Sequence, residues 1–138
     1  MLHRIFEFGD TLVKDVMIPR EQMVALPLSA TPEEVLDLLT EEGHSRVPVY
    51  EGSLDTIRGI LYAQGLLHLW RHQELIVLPD LLHAAYTVPE TKRVTELLQE
   101  FQRMHVQIAI VTDAQGQTAG LVTLEDLLEE IVGEIGGV

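Results

Sequence analysis

The 138-residue chain contains no cysteine, and this absence excludes disulfide bridges, thiolate nucleophiles and zinc sites built from cysteine. Basic residues are also scarce, with nine Lys and Arg against 22 Asp and Glu. The resulting formal charge of −13 opposes binding to nucleic-acid phosphates and to anionic lipid surfaces, because the long-range field repels both. We therefore expect no nucleic-acid partner.

Long hydrophobic runs are missing as well. No apolar stretch approaches the roughly 18 residues that a membrane helix needs, and the N-terminus lacks a signal-peptide pattern. Hydrophobic residues make up 46% of the chain and charged residues 22%, which is typical of a soluble globular domain. Because both ends lack strong boundary signals, we expect the chain to be a piece of a longer protein.

What the sequence does contain is a repeat. Residues 46–67 and 107–128 align without a gap at an offset of 61 (107 − 46). Both copies consist of an apolar run, a polar turn, a glycine that opens a second apolar run, and a helix start. The identical pairs are Gly59/Gly120, Leu66/Leu127 and Leu67/Leu128.

A second shared piece lies upstream of each copy, where a Pro-Glu pair leads into an amphipathic helix at 32–42 and again at 89–102. Each copy therefore predicts the order strand, helix, strand, strand, helix. The fold class we expect is α+β, with two β-α-β-β-α repeats related by a pseudo-twofold axis. The predicted division is a helical tail over 1–10, a first repeat over 11–72 and a second over 73–138. Clefts between such halves are natural ligand sites.

Local signals predict the individual elements. Thr31, Pro32 and Glu34 form a capping box with proline at the first helical position, and Gly43 is placed to end that helix. Residues 72–85 are apolar enough to be packed rather than a free linker. The other predicted elements are an extended segment over 16–19, strands over 23–26, 47–50, 57–62, 108–112 and 119–123, and helices over 63–71 and 124–131.

Five stretches together resemble a tandem CBS-domain pair (Bateman module) of the CorC/HlyC and cyclin M family. They are DVMIPR (15–20), HSRVPVY (44–50), GILYAQGLL (59–67), VPETKRV (88–94) and GLVTLEDLLEEIVGEI (120–135). The resemblance implies a regulatory module that binds an adenine nucleotide (ATP, ADP or AMP, with or without Mg²⁺) and forms a homodimer through its CBS pairs. It also implies a cytoplasmic position in an inner-membrane or plasma-membrane protein linked to magnesium and cobalt transport or efflux, with transmembrane and C-terminal domains in the parent protein.

The resemblance also implies the site residues. A Ser or Thr followed three residues later by Asp reads the ribose in this family, and it falls on Thr123 and Asp126. In paired modules this acid faces the first segment of the other repeat. That implies the remaining nucleotide contacts, with Val16, Met17 and Ile18 on the adenine side, Ser45, Arg46 and Pro48 nearby, and Leu121 lining the pocket. Thr123 and Asp126 also match a capping box for the last helix, so a purely structural cap is the alternative.

The first copy lacks this acid. By the same offset its equivalent positions are Tyr62 and Gly65, which predicts one competent nucleotide site rather than two. Lys14, Arg20 and Arg46 all fall in segments assigned to that site, where a locally basic mouth would hold phosphates. The alternative is that these three are ordinary surface charges.

Two other functions are the alternatives to a nucleotide-binding module. A structural dimerisation module with a decayed nucleotide site is consistent with Gly65. An enzyme is not expected, since the sequence has no nucleophile with a paired base, no P-loop and no dinucleotide fingerprint. His68 and His72 are spaced i, i+4 but lack a third metal ligand, and the acidic run after Thr123 is typical of a solvated helix face.

Overall fold

The structure of the protein is a computed structural model that describes residues 9–42 and 44–136. The predicted helical tail over 1–10 and the predicted helix stop at Gly43 therefore lie largely or wholly outside the described residues. The chain divides into two compact units. The continuous unit runs from Val24 to Ala85, and the composite unit combines the chain up to Met23 with the chain from Tyr86 onward.

The continuous unit contains a three-stranded sheet in the order β2-β3-β4. Its elements are β2 (Leu26–Pro27), α2 (Pro32–Glu42), β3 (Arg46–Glu51), β4 (Ser53–Tyr62), 3₁₀ turns at Ala63–Leu69 and Gln73–Leu75, and α3 (Leu78–Leu81). Strand β2 runs parallel to β3, and β3 is antiparallel to β4. Its core is formed by Leu26, Val35, Leu36, Val47, Val49, Leu61, Leu66, Ile76 and Leu78.

Helix α2 begins as the sequence predicts. The backbone N–H of Glu34 donates to the Thr31 hydroxyl at 3.2 Å, while the Glu34 carboxylate accepts the Thr31 N–H at 2.9 Å. This reciprocal pair is the predicted capping box, and it satisfies two backbone donors at the helix start. Because Val35 and Leu36 on the next turn are buried, the cap fixes where the helix meets the core.

Three predictions in the continuous unit are wrong in detail. Strand β4 begins at Ser53, four residues before the predicted start of the 57–62 strand. The segment over 63–71 is a 3₁₀ helix at Ala63–Leu69 instead of an α-helix, since Gly65 weakens helical propensity there. The first strand is Leu26–Pro27 rather than 23–26. The prediction that residues 72–85 pack is confirmed, because Ile76 and Leu78 are buried in the core.

The composite unit contains a four-stranded sheet in the order β1-β7-β6-β5. Its elements are α1 (Val13–Val16), β1 (Ile18–Pro19), a 3₁₀ turn at Arg20–Gln22, β5 (Tyr86–Pro89), α4 (Val94–Met104), β6 (Ile108–Thr112), β7 (Thr118–Thr123) and α5 (Leu124–Gly136). Strand β6 runs parallel to β5, and β7 is antiparallel to both β1 and β6. Its core is formed by Val13, Val88, Val94, Leu97, Phe101, Ala109, Val111, Val122 and Leu127.

The predicted start of the second amphipathic helix is wrong. Pro89 is the last residue of β5, and helix α4 begins five residues later at Val94. The Tyr86–Pro89 stretch pairs along its length with β6, and this sheet pairing overrides the Pro-Glu signal. The predicted apolar face is confirmed, since Val94, Leu97 and Phe101 are all buried.

The α+β class and the predicted element order are otherwise confirmed. Helix α5 is longer than predicted, ending at Gly136 rather than 131. The described helices include none with the length and hydrophobicity needed to cross a bilayer.

Candidate functional site

The junction between β7 and α5 carries the two residues singled out by the ribose motif. Thr123 is the last residue of the strand, and its hydroxyl accepts the backbone N–H of Asp126 at 3.2 Å. The neighbouring N–H of Leu124 donates to the Gln107 carbonyl at 2.9 Å. The capping role of Thr123 is therefore present in the structure, and it fixes the first turn of α5.

Asp126 has a different environment from the other acids of α5. Its side chain is half-buried, as is that of Thr123, whereas Glu125, Glu129 and Glu130 are exposed. A half-buried carboxylate exchanges hydrogen bonds with less competition from water than an exposed one. The acid expected to contact a ligand is thus less exposed to solvent than the other acids described on the same helix.

The three residues Val16, Met17 and Ile18, here called the 16–18 segment, lie against the same strand. Ile18 pairs with Leu121 in the antiparallel β1–β7 ladder, two residues before Thr123. Helix α1, which delivers the segment, contacts both β7 and α5. The segment is half-buried, and Leu121 is 6% exposed.

Gly120 makes this approach possible. A Cβ added there would lie 2.3 Å from the Ile18 carbonyl oxygen and 3.0 Å from the Met17 sulfur. Both distances are shorter than ordinary van der Waals contact, so a side chain would push the 16–18 segment off the strand. Six predicted residues lie in the composite unit, and the absence of a Cβ at Gly120 allows the first three to approach the strand: Val16, Met17, Ile18, Leu121, Thr123 and Asp126.

The prediction of a continuous extended segment over 16–19 is wrong at its first residue. Val16 is the last residue of α1, and Met17 donates its N–H back to the Val13 carbonyl at 3.0 Å. Only Ile18 and Pro19 are in strand β1. The apolar residues of this stretch include Val16, which packs on the core of the composite unit from helix α1 together with Val13. The apolar run therefore does not mark a single extended segment.

The other three predicted residues belong to the continuous unit. Ser45 is exposed, and its carbonyl accepts the Ala63 N–H at 2.9 Å. Arg46 is half-buried at the start of β3, and Pro48 is buried opposite Ile60. Their predicted role remains a prediction.

The basic mouth receives less support than the sequence suggests. The Arg20 guanidinium donates to the Thr118 carbonyl at 3.0 Å, at the opposite end of β7 from Thr123. At about 3.3 Å per residue, five residues of strand separate these positions by roughly 16 Å. Arg20 therefore does not lie beside Thr123, and of the predicted basic residues in this unit Lys14 on α1 is the exposed one.

The first copy has its own cavity at the equivalent positions. It measures about 220 Å³ and is lined by Leu61, Tyr62, Gly65, Leu66, Asp80, Leu81, Leu82 and His83. The Tyr62 and His83 rings meet edge to face, with centroids 4.6 Å apart. The aligned block 46–67 contains the lining residues from Leu61 to Leu66, but it ends before residues 80–83, so the repeat does not predict that second wall.

The histidine pair does not lie on one helix, although both side chains line one open surface cavity. His68 lies in the 3₁₀ stretch, which ends at Leu69, and His72 follows beyond it, so the helical i, i+4 relation expected from the spacing is absent. His72 instead lies 3.5 Å from the Glu74 carboxylate. Across the described part of the chain, no group of three or more His, Asp or Glu side chains is arranged to hold a metal ion.

Comparison with known proteins agrees with the repeat. A family model for the CBS domain matches twice, over residues 13–71 and 79–133. The magnesium and cobalt efflux protein CorC of Salmonella typhimurium is 45% identical over 136 residues, which cover 98% of this chain and 47% of that protein. The chain thus spans about half the length of the curated relatives it matches.

Solved structures agree as well. The CBS domain of a bacterial CNNM/CorC family Mg²⁺ transporter, solved in complex with ATP, is 46% identical and superposes with a TM-score of 0.88. The match covers 96% of this chain and 94% of that one. A CBS-domain pair from Klebsiella pneumoniae with bound AMP is 31% identical, with a TM-score of 0.79 over 89% of this chain and 99% of that one.

Proposed function

We propose a regulatory function for this chain because it belongs to the CBS-domain family, as a tandem pair of the CNNM/CorC type. In this proposal the chain binds an adenine nucleotide (ATP, ADP or AMP, with or without Mg²⁺) and regulates a longer protein. The observation that carries the proposal is the pairing of Ile18 with Leu121, which holds the 16–18 segment beside the strand that ends at Thr123.

The carboxylate of Asp126 is the proposed ribose contact. Its two oxygens are acceptors and suit the two adjacent hydroxyl donors of a ribose. Half-burial of the side chain strengthens such bonds relative to those on the exposed acids of α5. Each hydrogen bond to a charged group contributes about 1.5–3 kcal/mol.

Thr123 can cap the helix and contact the ligand at the same time. Its hydroxyl oxygen accepts the Asp126 N–H, which leaves the hydroxyl hydrogen available to donate to a phosphate oxygen. The positive end of the α5 dipole favours an anion at the same place. The cap and the nucleotide contact are therefore compatible roles.

The adenine contact is assigned to apolar surface. Val16, Met17, Ile18 and Leu121 provide side chains without charge, and the Met17 thioether is polarisable enough to pack against an aromatic ring. Ser45, Arg46 and Pro48 are proposed as further contacts on the strength of the family resemblance, with the Arg46 guanidinium suited to phosphate.

The regulation we propose needs no catalysis. A nucleotide that binds more tightly to one arrangement of the protein shifts its population toward that arrangement, by no more than the difference in affinity. The parent protein is proposed to be a membrane protein linked to magnesium or cobalt transport or efflux, with this chain on its cytoplasmic side. The similarity to the magnesium and cobalt efflux protein CorC supports the proposal. The transport step would belong to the part of such a protein that this chain does not cover.

Calorimetry tests the proposal directly. ATP, ADP and AMP are titrated into the chain with and without Mg²⁺, and sodium triphosphate serves as the ligand without base or ribose. We expect saturable binding of at least one adenine nucleotide at one equivalent per chain, and much weaker binding of triphosphate. The absence of binding by all three nucleotides at millimolar concentration would refute the proposal.

A homodimer is the partner we propose. Leu67 and Leu128 are equivalent positions of the two copies, and their side chains are 68% and 45% exposed. Leucines exposed at matching places in both repeats suit an interface that uses each repeat in the same way.

The alternative function is a structural dimerisation module whose nucleotide site has decayed. It is favoured by Gly65, which leaves the first copy without the acid that Asp126 provides in the second. In that case the protein would remain dimeric, and no adenine nucleotide would raise its melting temperature.

A further inference from the structure

A polar cluster of Tyr86, Lys92 and Glu100 links β5, the β5–α4 turn and α4, and it suggests how the 16–18 segment is held in place. The two oxygens of Glu100 accept hydrogen bonds from the Tyr86 hydroxyl and from the Lys92 ammonium group. The Lys92 and Glu100 side chains are only 18% and 14% exposed. By contrast, Arg58 and Glu51 pair at 3.5 Å with more than half of each side chain in solvent.

The pKa values agree with a strongly engaged carboxylate. Burial raises the pKa of Glu100, but the hydrogen bonds from Lys92 and Tyr86, together with the positive charges of Lys92 and Arg103, outweigh it and hold the pKa below its ordinary value. The same bond to Glu100 raises the pKa of the Tyr86 hydroxyl. Because each partner is charged or polarised toward the next, removal of one leaves the others partly buried with fewer hydrogen bonds.

The backbone next to this cluster holds helix α1. The Lys92 carbonyl accepts the Val13 N–H at 2.8 Å, and the Glu90 carbonyl accepts the Lys14 N–H at 3.0 Å. These are the first two N–H groups of the helix, which have no partner within it. The turn between β5 and α4 therefore acts as the cap that the Leu12 side chain cannot provide.

Helix α1 leads directly to the 16–18 segment. Val13 is fully buried, and Met17 hydrogen bonds back to it before Ile18 joins β7. A shift of the 90–92 backbone would therefore move the start of a four-residue helix whose end contacts the proposed adenine wall. A helix of four residues is not stable by itself, so contacts such as these with the rest of the unit hold it in place.

We infer that Lys92, Glu100 and Tyr86 are positioning residues for nucleotide binding, which they control by fixing the turn that caps helix α1. This inference rests on the proposed function. It assigns Lys92 and Glu100 no contact with the ligand, and it adds a control point to the site that is remote from Thr123 and Asp126.

The test combines hydrogen exchange with calorimetry on Glu100→Gln, which keeps the side-chain shape and removes the charge. We expect faster exchange at the Val13 and Lys14 amides, unchanged exchange at the Ile110 amide in β6, and ATP binding weakened about 3- to 10-fold. The control is Glu51→Gln, which removes an acid from an exposed pair and is expected to change neither readout. Lys92→Arg keeps the positive charge, so its exchange rates and ATP affinity should be close to those of the unmodified chain. Tyr86→Phe removes one hydrogen bond to Glu100 and should change both readouts in the same direction by less. It replaces Glu100→Gln in the test if that variant does not fold.

Unchanged exchange at Val13 and Lys14 in Glu100→Gln and Tyr86→Phe would overturn the inference. So would an equal rise at Ile110, because that would mean general loss of stability. If the unmodified chain bound no nucleotide, the proposed function would fail, while the exchange data would still decide whether the cluster positions helix α1.

Discussion

Gly120 and Ile18 meet at a distance that leaves no room for a side chain, since an added Cβ would lie 2.3 Å from the Ile18 carbonyl oxygen. The equivalent glycine of the first copy, Gly59, also allows a distant chain segment to approach its strand closely. A Cβ there would lie 2.8 Å from the His83 carbonyl oxygen, and His83 bridges to Ile60 as Ile18 pairs with Leu121. The repeat thus preserves a glycine where a distant chain segment joins each hairpin.

Gly120→Ala is expected to lower the free energy of unfolding by about 1–3 kcal/mol, the usual cost of overpacking. It should also weaken ATP binding, because the 16–18 segment must move. Chemical denaturation and calorimetry measure the two effects. Gly65→Ala is the matched control, since no atom lies within 4 Å of its added Cβ, and a loss of stability as large as that of Gly120→Ala would contradict the interpretation.

Thr31→Ala is expected to cost about 1 kcal/mol of stability, the typical value of a lost N-cap. The reason is that the Thr31 hydroxyl accepts the Glu34 backbone N–H, so its removal leaves that one donor without its side-chain acceptor. Thr31→Ser keeps the hydroxyl and should be close to the unmodified chain in denaturant titrations. Equal destabilisation by both variants would show that the threonine methyl group, and not the cap, is responsible.

The Tyr86–Glu100 bond predicts a pH dependence at both extremes. The pKa of Glu100 is lowered on folding, so its contribution to stability is present above its ordinary value of 4.5 and is lost as the pH falls through the folded value. The pKa of Tyr86 is raised, so its contribution is present below 10.0 and is lost as the pH rises through the folded value.

Unfolding free energies measured across pH should therefore show the advantage of the unmodified chain over Glu100→Gln shrinking in acid. Its advantage over Tyr86→Phe should shrink in alkali. A constant difference across the whole range would mean that neither group titrates differently in the folded state.

Leu128→Ser is expected to shift the chain toward the monomer in sedimentation experiments, because it removes exposed apolar surface from the proposed interface. Leu67→Ser tests the equivalent position of the first copy and should act in the same direction. Glu130→Gln, on the same helix as Leu128, serves as the surface control. A monomeric unmodified chain at all concentrations would exclude the proposed homodimer.

The parts of the fold that sequence reasoning predicted well are those specified by neighbouring residues. Helix α2 has its cap, its proline and its apolar stripe within a dozen residues, and its observed bounds match the prediction. The start of α4 was wrong because the same Pro-Glu signal occurs where Tyr86–Pro89 pairs with β6, and that pairing is not visible locally.

The candidate site shows the same division. Thr123 and Asp126 are three residues apart, so their capping bond follows from the sequence. The pairing of Ile18 with Leu121 joins residues 103 apart (121 − 18), and the family resemblance assigned both to one site without predicting the pairing. The Lys92–Glu100 pair is not predicted from the sequence. The predicted helix over 89–102 includes both residues, eight positions apart, whereas in the structure Lys92 lies in the turn before α4.

Titration of ATP into the unmodified chain and into Asp126→Asn tests the central claim most directly, with Glu130→Gln as the control for charge on the same helix. We expect Asp126→Asn to weaken ATP binding by about 10- to 100-fold, because it removes a charged acceptor worth about 1.5–3 kcal/mol. We expect near-normal affinity for Glu130→Gln. Equal affinity of ATP for all three proteins would contradict the claim that the half-buried carboxylate at the start of α5 binds the nucleotide.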